Sequence, residues 1–350
     1  YQLADLPEFT SILGAAKLTG KSYYDGIAQD TIAMAVNDLI TVGATPLVVQ
    51  AYWAAGGSDW FGDKVRANAL VAGWKKACEI CNVAWGGGET PALAGIVADI
   101  KARRPDHIAL TGDLVNVSLP QEFERAARWL TDFSGPDRIT VIPGNHDVYV
   151  RTDWADSLGR WGAYIASDGA PPAAGFDVFP TVRRRGDVAL VGLSSGVVKP
   201  PLLATGEVGE AQLAHAEKIL GELGRQGLCR VVMIHHPPLP ESRFKWLTDR
   251  AAFRAMVRRA GCELVLHGHN HRSEVGRIDG PLGPLPVLGV ASASAAPDSK
   301  YGRARYHLIR IEREAAAWRF GVEIRALNPA ADGCEPDGDL VLHTPASIER

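Results

Sequence analysis

Apolar and polar positions recur along this chain at two periods, and the switch between them predicts helices and strands in turn. Ile32, Ala35, Val36 and Leu39 keep helical spacing, so 30–42 reads as a helix. Residues 46–53 then read as a strand and 63–81 as a second helix. Leu93, Ile96, Val97 and Ile100 carry another helix through 91–104. Beyond it lie four apolar runs: Ile108-Ala109-Leu110-Thr111, Ile139-Thr140-Val141-Ile142, Val231-Val232-Met233-Ile234 and Leu264-Val265-Leu266. Each has the length and side-chain type of a buried strand. Phe123, Ala126, Ala127 and Leu130 form one helical stripe, with Ser118 and Gln121 at capping-box spacing ahead of it. A Trp-containing helix is expected near 153–166 and another over 211–223. Asp249 is expected to cap a helix that turns Phe253, Met256, Val257 and Ala260 to one face. Val182 to Ser194 reads as a hairpin, with Arg183-Arg184-Arg185 as a solvated strand end before the Gly186-Asp187 turn. Strands at 273–278, 286–290, 305–311 and 318–326 close the pattern, and the tail from Asn328 is expected to be loose.

The polar residues just past those four runs carry the chemistry. They are Gly112-Asp113, Gly144-Asn145-His146-Asp147, His235-His236 and His267-Gly268-His269-Asn270-His271. Open α/β sheets keep their ligand crevices at the carboxyl ends of strands. One such cluster alone reads as a polar turn or a satisfied core histidine; four together read as a metal site. Asp113, Asn145, His235, His269 and His271 offer oxygen and nitrogen without sulfur. That set suits Mn²⁺, Fe, Co²⁺ or Zn²⁺ better than Ca²⁺ or Mg²⁺ alone. Two such ions about 3.5–4 Å apart lower the pKa of a bridging water and clamp a phosphoryl group for in-line attack. His146 is then available to protonate the leaving oxygen. Asp147 is available to fix the orientation of an imidazole. His236, adjacent to His235, points elsewhere on an extended segment and reads as a second-layer or substrate contact. His107, His215, His307 and His343 read as structural or surface residues.

Composition narrows the setting. A net charge of −3 gives no basic excess, so nucleic acid is not indicated as a partner. The five cysteines are scattered and odd in number, which favours reduced thiols and a cytoplasmic setting; Cys78-Glu-Ile-Cys81 reads as packing. No secretory leader is expected at the start, which opens at Tyr1. Residues 39–58 carry no charge, but Thr41, Gly43, Thr45, Pro46 and Gln50 interrupt them, so a helix end and a strand are expected rather than a membrane span. All ten histidines lie at or after His107, which suggests two pieces of different origin.

Gly112-Asp113, Gly144-Asn145-His146-Asp147, His235 and Gly268-His269-Asn270-His271 together resemble the calcineurin-like metallophosphoesterases, over about 98–325. That resemblance implies an αββα sandwich, two divalent ions and a small phosphoester substrate. It implies Asp113 as the bridging ligand, Asn145, His235 and His269 at one metal position, His271 at the other, and His146 as the catalytic histidine. Small bacterial members with a Gly-Asn-His-Asp motif include cyclic-nucleotide phosphodiesterases, so that substrate class leads. The family opens with Asp-x-His on its first strand, and no such motif stands upstream of Asp113. The expectation is therefore a sandwich lacking its usual first strand, with one metal position reduced to Asp113 and His271. Catalysis is then impaired unless Asp5, Asp25 or Asp30 reaches the site.

Ahead of it, Asp30 to Asn37-Asp38, Gly43 to Pro46 and Gly87-Gly88-Glu89-Thr90 resemble the amino-terminal domain of the aminoimidazole ribonucleotide synthetases, over about 25–97. That family's Asp-Gly-x-Gly-Thr-Lys loop is not visible, Asp25-Gly26-Ile27-Ala28 being a poor match, and its ATP-handling carboxy-terminal domain is absent. The expected division is a partial α/β synthetase-like segment at 1–97 and a metallophosphoesterase domain at 98–350, joined as a fusion without a Gly/Ser/Pro linker. Three readings are open: a metal-dependent phosphodiesterase, an ATP-dependent purine-synthesis cyclo-ligase, and a non-catalytic fusion of two incomplete domains.

Overall fold

The structure, a computed structural model, describes residues 23–41, 48–49, 64–81, 84–85, 91–200, 203–240, 245–295, 302–315, 317–330 and 333–344. The chain divides into two compact units, Tyr1–Thr90 and Pro91–Arg350. The division precedes the seam expected at 97/98, because one continuous helix, Pro91–Arg103, runs through that position.

In the first unit, α1 (Tyr24–Thr41) and α2 (Lys64–Ile80) pack through Tyr24, Ile27 and Ile32 against Leu70, Trp74 and Ala77. Cys78 belongs to the same core, and all five cysteines are free thiols. Strands β1 (Val48–Val49) and β2 (Ala84–Trp85) pair in parallel. Asn37, Asp38, Asp25 and Asp30 fall on α1. The Gly86–Thr90 turn and Asp5 lie outside the described residues.

The second unit begins with α3 (Pro91–Arg103), β3 (Ile108–Leu110), α4 (Pro120–Phe133), β4 (Ile139–Val141) and a one-turn helix α5 (Gly162–Ile165). The hairpin β5 (Thr181–Arg185) and β6 (Val188–Gly192) comes next, then α6 (Glu210–Arg225), β7 (Cys229–Met233), α7 (Arg250–Ala260) and β8 (Leu264–His267). The remaining strands are β9 (Glu274–Gly280), β10 (Gly283–Gly289), β11 (Arg305–Glu314), β12 (Ala317–Leu327) and β13 (Cys334–His343). A six-stranded mixed sheet runs in the order β5-β6-β7-β8-β10-β9. Its β6, β7 and β8 are parallel neighbours, and side chains alternate between its two faces. Val191, Val232, Ile234 and Val265 face one core with Leu213 and Leu220 of α6 and Phe253 and Val257 of α7. Leu190, Val231, Met233 and Leu264 face the other, with Phe123 and Leu130 of α4, the β4 side chains, and Trp318 and Phe320 of β12. Burial on both faces is why these strands read as unbroken apolar runs.

β3 and β4 form a parallel pair of their own. Among the described residues no strand lies on the other edge of β3. Ile108, Ala109 and Leu110 are accordingly half-buried, while Ile139, Thr140 and Val141 are buried. α3 is anchored by charge as well as packing: Tyr306 O–H and the Arg325 guanidinium, through Nε and Nη2, donate to the Asp99 carboxylate at 2.5–3.1 Å.

Several local expectations differ from what forms. The region 153–166 is not one helix but short 3-10 turns, Trp154–Asp156 and Leu158–Trp161, leading into α5, because Ser157 leaves the helical backbone (φ −129, ψ −121) and interrupts it. Within the tail, Cys334–His343 is not loose: as β13 it pairs antiparallel with β12 and buries Leu342 in the core. Arg183 is not solvated; its guanidinium is buried and donates to the carbonyls of Pro136, Ile139, Ala163 and Ala166. At α4 the cap falls one residue late and is one-sided: Glu122 Oε2 accepts the Leu119 N–H at 2.9 Å behind Pro120, and the leucine side chain returns nothing. Asp249 heads α7, but its carboxylate accepts the Val208 and Gly209 N–H groups instead, pinning the start of α6. Among the described residues no helix is long and apolar enough to cross a membrane.

Candidate metal centre

Four strands of the second unit deliver their trailing loops to one place, and two glycines let the first two loops touch. Gly112 has φ +98, and a Cβ there would lie 2.5 Å from Gly144 N and 2.8 Å from His235 Nδ1. A Cβ on Gly144 would overlap Asp113 Oδ1. Neither position accepts a side chain. The contact is sealed by Asp147, whose buried carboxylate accepts four backbone N–H groups: Asp113 (2.7 Å), Leu114 (2.8 Å), Val115 (3.0 Å) and Gly144 (2.8 Å). The expectation that Asp147 orients an imidazole is therefore corrected, since its oxygens are taken by the backbone of both loops. Burial and the Asp113 charge push its pKa up to about 6, against the pull of those amides.

Ligand candidates converge on this seam. His235 Nδ1 lies 2.6 Å from the Thr111 carbonyl. A carbonyl only accepts, so Nδ1 carries a proton and Nε2 is turned to the centre. There Nε2 meets Asp113 Oδ2 at 3.2 Å and Asn145 Oδ1 at 3.1 Å. His269 Nδ1 lies 3.0 Å from the same Asn145 oxygen. Asp113, His235 and His269 donor atoms all fall within 4.8 Å of one another. Asp113, His269 and His271 each hold a left-handed backbone, φ +61, +66 and +55. Such conformations cost of order 1 kcal/mol or more each and gather where a site demands them.

The electrostatics fit a cation. Burial alone would raise the Asp113 pKa, yet His235 and His146 hold it well below the ordinary carboxylate range. Burial alone would lower His235, yet Asp113 raises it. A proton on Nε2 thus fills the gap between an imidazole and two oxygen acceptors, and a divalent ion would displace it. His269 is pushed down to about 3 by burial and by His235, so it presents a neutral ring. Oxygen and neutral nitrogen in a buried cluster are the donor chemistry of a first-row divalent site.

The other expected residues have definite places. His146 N–H donates to Asp113 Oδ1 at 2.9 Å, its Nδ1–H donates to the Asn116 carbonyl at 2.6 Å, and its ring stacks on Tyr149 at 5.9 Å. His271 is exposed and stands outside the group sharing the 4.8 Å spacing, although Asp113, His235 and His146 all act on its charge. Although its ring edge meets solvent, desolvation by the loops packed around the rest of it lowers its pKa first, with His235 adding to that and Asp113 opposing it. His236 is fully buried, with Ser195 Oγ 2.8 Å from Nδ1 and its ring 4.4 Å from that of His269. Thr111, Asn116 and Ser195 are not legible as site residues in the sequence. The first two act through backbone carbonyls, which no side-chain pattern announces. Ser118 has the spacing of a cap but works here: its hydroxyl donates to the His146 carbonyl and accepts the Tyr149 N–H, both at 2.7 Å.

Known proteins of two kinds resemble the chain. Over 76 residues the chain is 38% identical to a phosphoribosylformylglycinamidine cyclo-ligase of Aromatoleum aromaticum, which is 22% of this chain and 21% of that protein. A cyclo-ligase of Coxiella burnetii is 38% identical over 73 residues, 21% of this chain and 20% of its own length. The chain thus spans about a fifth of the curated relatives it matches. Among solved structures, a dimetal phosphatase from Danio rerio superposes with a TM-score of 0.54 at 13% identity, over 70% of this chain and 87% of that one. At that identity the likeness shows the fold. A family model described as calcineurin-like phosphoesterase matches residues 36–273, well over half of the chain. With its strand-end loops meeting at Asp113 and Asn145, and with that match across both halves of the sequence, the chain belongs to the calcineurin-like phosphoesterase family of metal-dependent hydrolases.

Proposed function

We propose that this protein is a phosphodiester hydrolase, with cyclic nucleotides the leading substrate class, that holds one divalent ion firmly and a second weakly. The observation that carries the reading is the approach of Asp113 Oδ2, Asn145 Oδ1, His235 Nε2 and His269 Nδ1, with neighbouring contacts of 3.0–3.2 Å. These four would hold the firm ion, which we take to be Mn²⁺, Fe, Co²⁺ or Zn²⁺. Asp113 and His271 are the candidates left for the other. Bound divalent ions supply charge neutralisation at the phosphoryl oxygens and a water of lowered pKa. The protein's own residues do the rest. The Asn116 carbonyl fixes the His146 ring with Nε2 free of that bond, able to give a proton to the leaving oxygen. Asp147 holds the two ligand-bearing loops in register. With an incomplete second position the turnover is impaired.

Metal analysis of the purified chain tests this, with one tightly held ion per chain expected. Two equally tight ions would contradict the incomplete position. Mn²⁺-dependent cleavage of bis-p-nitrophenyl phosphate and cyclic AMP separates a hydrolase from a non-catalytic fusion. The cyclo-ligase likeness over 76 residues favours a second reading, ATP turnover with formylglycinamidine ribonucleotide. No ATP consumption with that substrate would dispose of it.

A further inference from the structure

The loops around the centre expose more apolar surface than a solvated rim requires. Val150 is 42% exposed, Phe176 48% and Val198 45%. Scattered apolar side chains need no explanation, but these three line one cavity of about 300 Å³ with Val148 and the turn at Asp147. In chain order the cavity starts one residue beyond His146, on the segments that follow β4, α5 and β6. Its inner wall is rigid. Val148 is buried, and Asp147 is tied to four amides. Phe176 is braced from the side by Trp154, ring centroids 5.1 Å apart at 77°, and Trp154 Nε1–H is itself bound to the Ala173 carbonyl at 2.9 Å.

The polar groups of the lining are already engaged inward. Thr152 Oγ1 donates to the Ser118 carbonyl at 3.1 Å, and Ser157 Oγ donates to the Asp153 carbonyl at 2.7 Å. What the cavity offers is apolar surface, with the charged Arg151 and Asp153 at its exposed margin. A volume near 300 Å³ lies at the small end of the range for small-molecule pockets, about right for one or two fused rings.

We infer that this cavity is a subsite for a planar aromatic group carried by the phosphoester, either a phenyl ring whose oxygen leaves phosphorus or a nucleobase joined to the phosphoryl group through its ribose. The inference rests on the phosphodiesterase reading and adds which part of the ester the protein recognises. A flat ring seats against Phe176 and between Val150 and Val198 while the phosphorus stays at Asp113 and Asn145. Burying that surface favours aromatic over methyl esters.

The test compares phenylphosphonate and methylphosphonate binding to the Mn²⁺-loaded chain by calorimetry, which needs no turnover. The chain is expected to bind phenylphosphonate about tenfold or more tightly than methylphosphonate. Val198→Asp and Val150→Asp are both at exposed positions and leave folding intact. Each is expected to erase most of that preference while methylphosphonate binding stays within about twofold. Equal affinity for the two phosphonates in the parent chain overturns the subsite alone. A preference that survives both substitutions also overturns it. Failure of the parent to bind either phosphonate overturns the subsite together with the phosphodiesterase reading.

Discussion

Asp147 accepts the backbone N–H of Asp113 at 2.7 Å, so the metal-ligand loop after β3 is held by a carboxylate on the loop after β4. Three more amides share that carboxylate. Asn at 147 keeps the shape but leaves one acceptor oxygen and turns an NH₂ toward N–H donors. Asp147→Asn is expected to cost about 2–4 kcal/mol in urea unfolding, because buried amides lose their acceptor. Mn²⁺ affinity, read by calorimetry on the folded variant, should fall with it.

His146 stands differently, because it supplies no atom to the shared ligand cluster. His146→Ala should leave metal content unchanged and lower kcat on bis-p-nitrophenyl phosphate by about 10²-fold, the usual worth of a proton donor. The effect should be smaller on an ester whose leaving group is already acidic. Loss of bound metal in this variant would move His146 from proton transfer to ligation.

His107 gives the stability of the fold a pH dependence of known sign. Its Nδ1 accepts Arg185 Nε–H at 3.1 Å, so Nε2–H donates to Thr140 Oγ1 at 2.7 Å and the ring is neutral. Burial first, then Arg185 and Arg183, push its pKa from 6.5 down to about 4. Between those values the unfolded chain binds a proton that the folded chain refuses. This contribution to stability is complete above 6.5 and is lost as pH falls toward 4. Urea midpoints at about pH 7.5 and about pH 5 should therefore differ less for His107→Gln than for the parent.

Asp99 carries the docking of α3 onto the carboxy-terminal sheet. Arg325 is 4% exposed at its side chain and Asp99 17%, so this ion pair is screened little. Asp99→Ala leaves the Arg325 guanidinium with Glu323 Oε1 at 2.8 Å and the Cys334 carbonyl at 3.1 Å but takes the acceptor from the Tyr306 hydroxyl, and should cost about 2 kcal/mol. Proteolysis should then open the chain near residues 91–103 before it opens the six-stranded sheet.

Much of the site is legible in the sequence because it depends on types of residue at strand ends. Asp113, Asn145, His235 and His269 each stand just past an apolar run, and they meet within hydrogen-bond reach. The strands themselves are legible because both sheet faces are buried, which forces continuous apolar sequence. What escapes depends on partners far away in the chain. Arg183 looks like a surface cation until four carbonyls from two other stretches, 136–139 and 163–166, surround it. Asp249 looks like a cap for its own helix until Val208 and Gly209 take its oxygens. β13 is hidden by its Pro336 and Gly338, and pairing with β12 overrides their preference. The role of Asp147 reverses for the same reason, since amides it binds lie 32–34 residues away.

The half-buried outer side of β3 has a consequence for the protein as a material. Among the described residues it is a strand with one flank unmated, only three residues long, and it ends at a metal ligand. Such a flank is a template for any stretch of extended chain that drifts past, a second molecule included. Short β-forming peptides added in excess should therefore compete for that flank and stiffen the loop that presents Asp113.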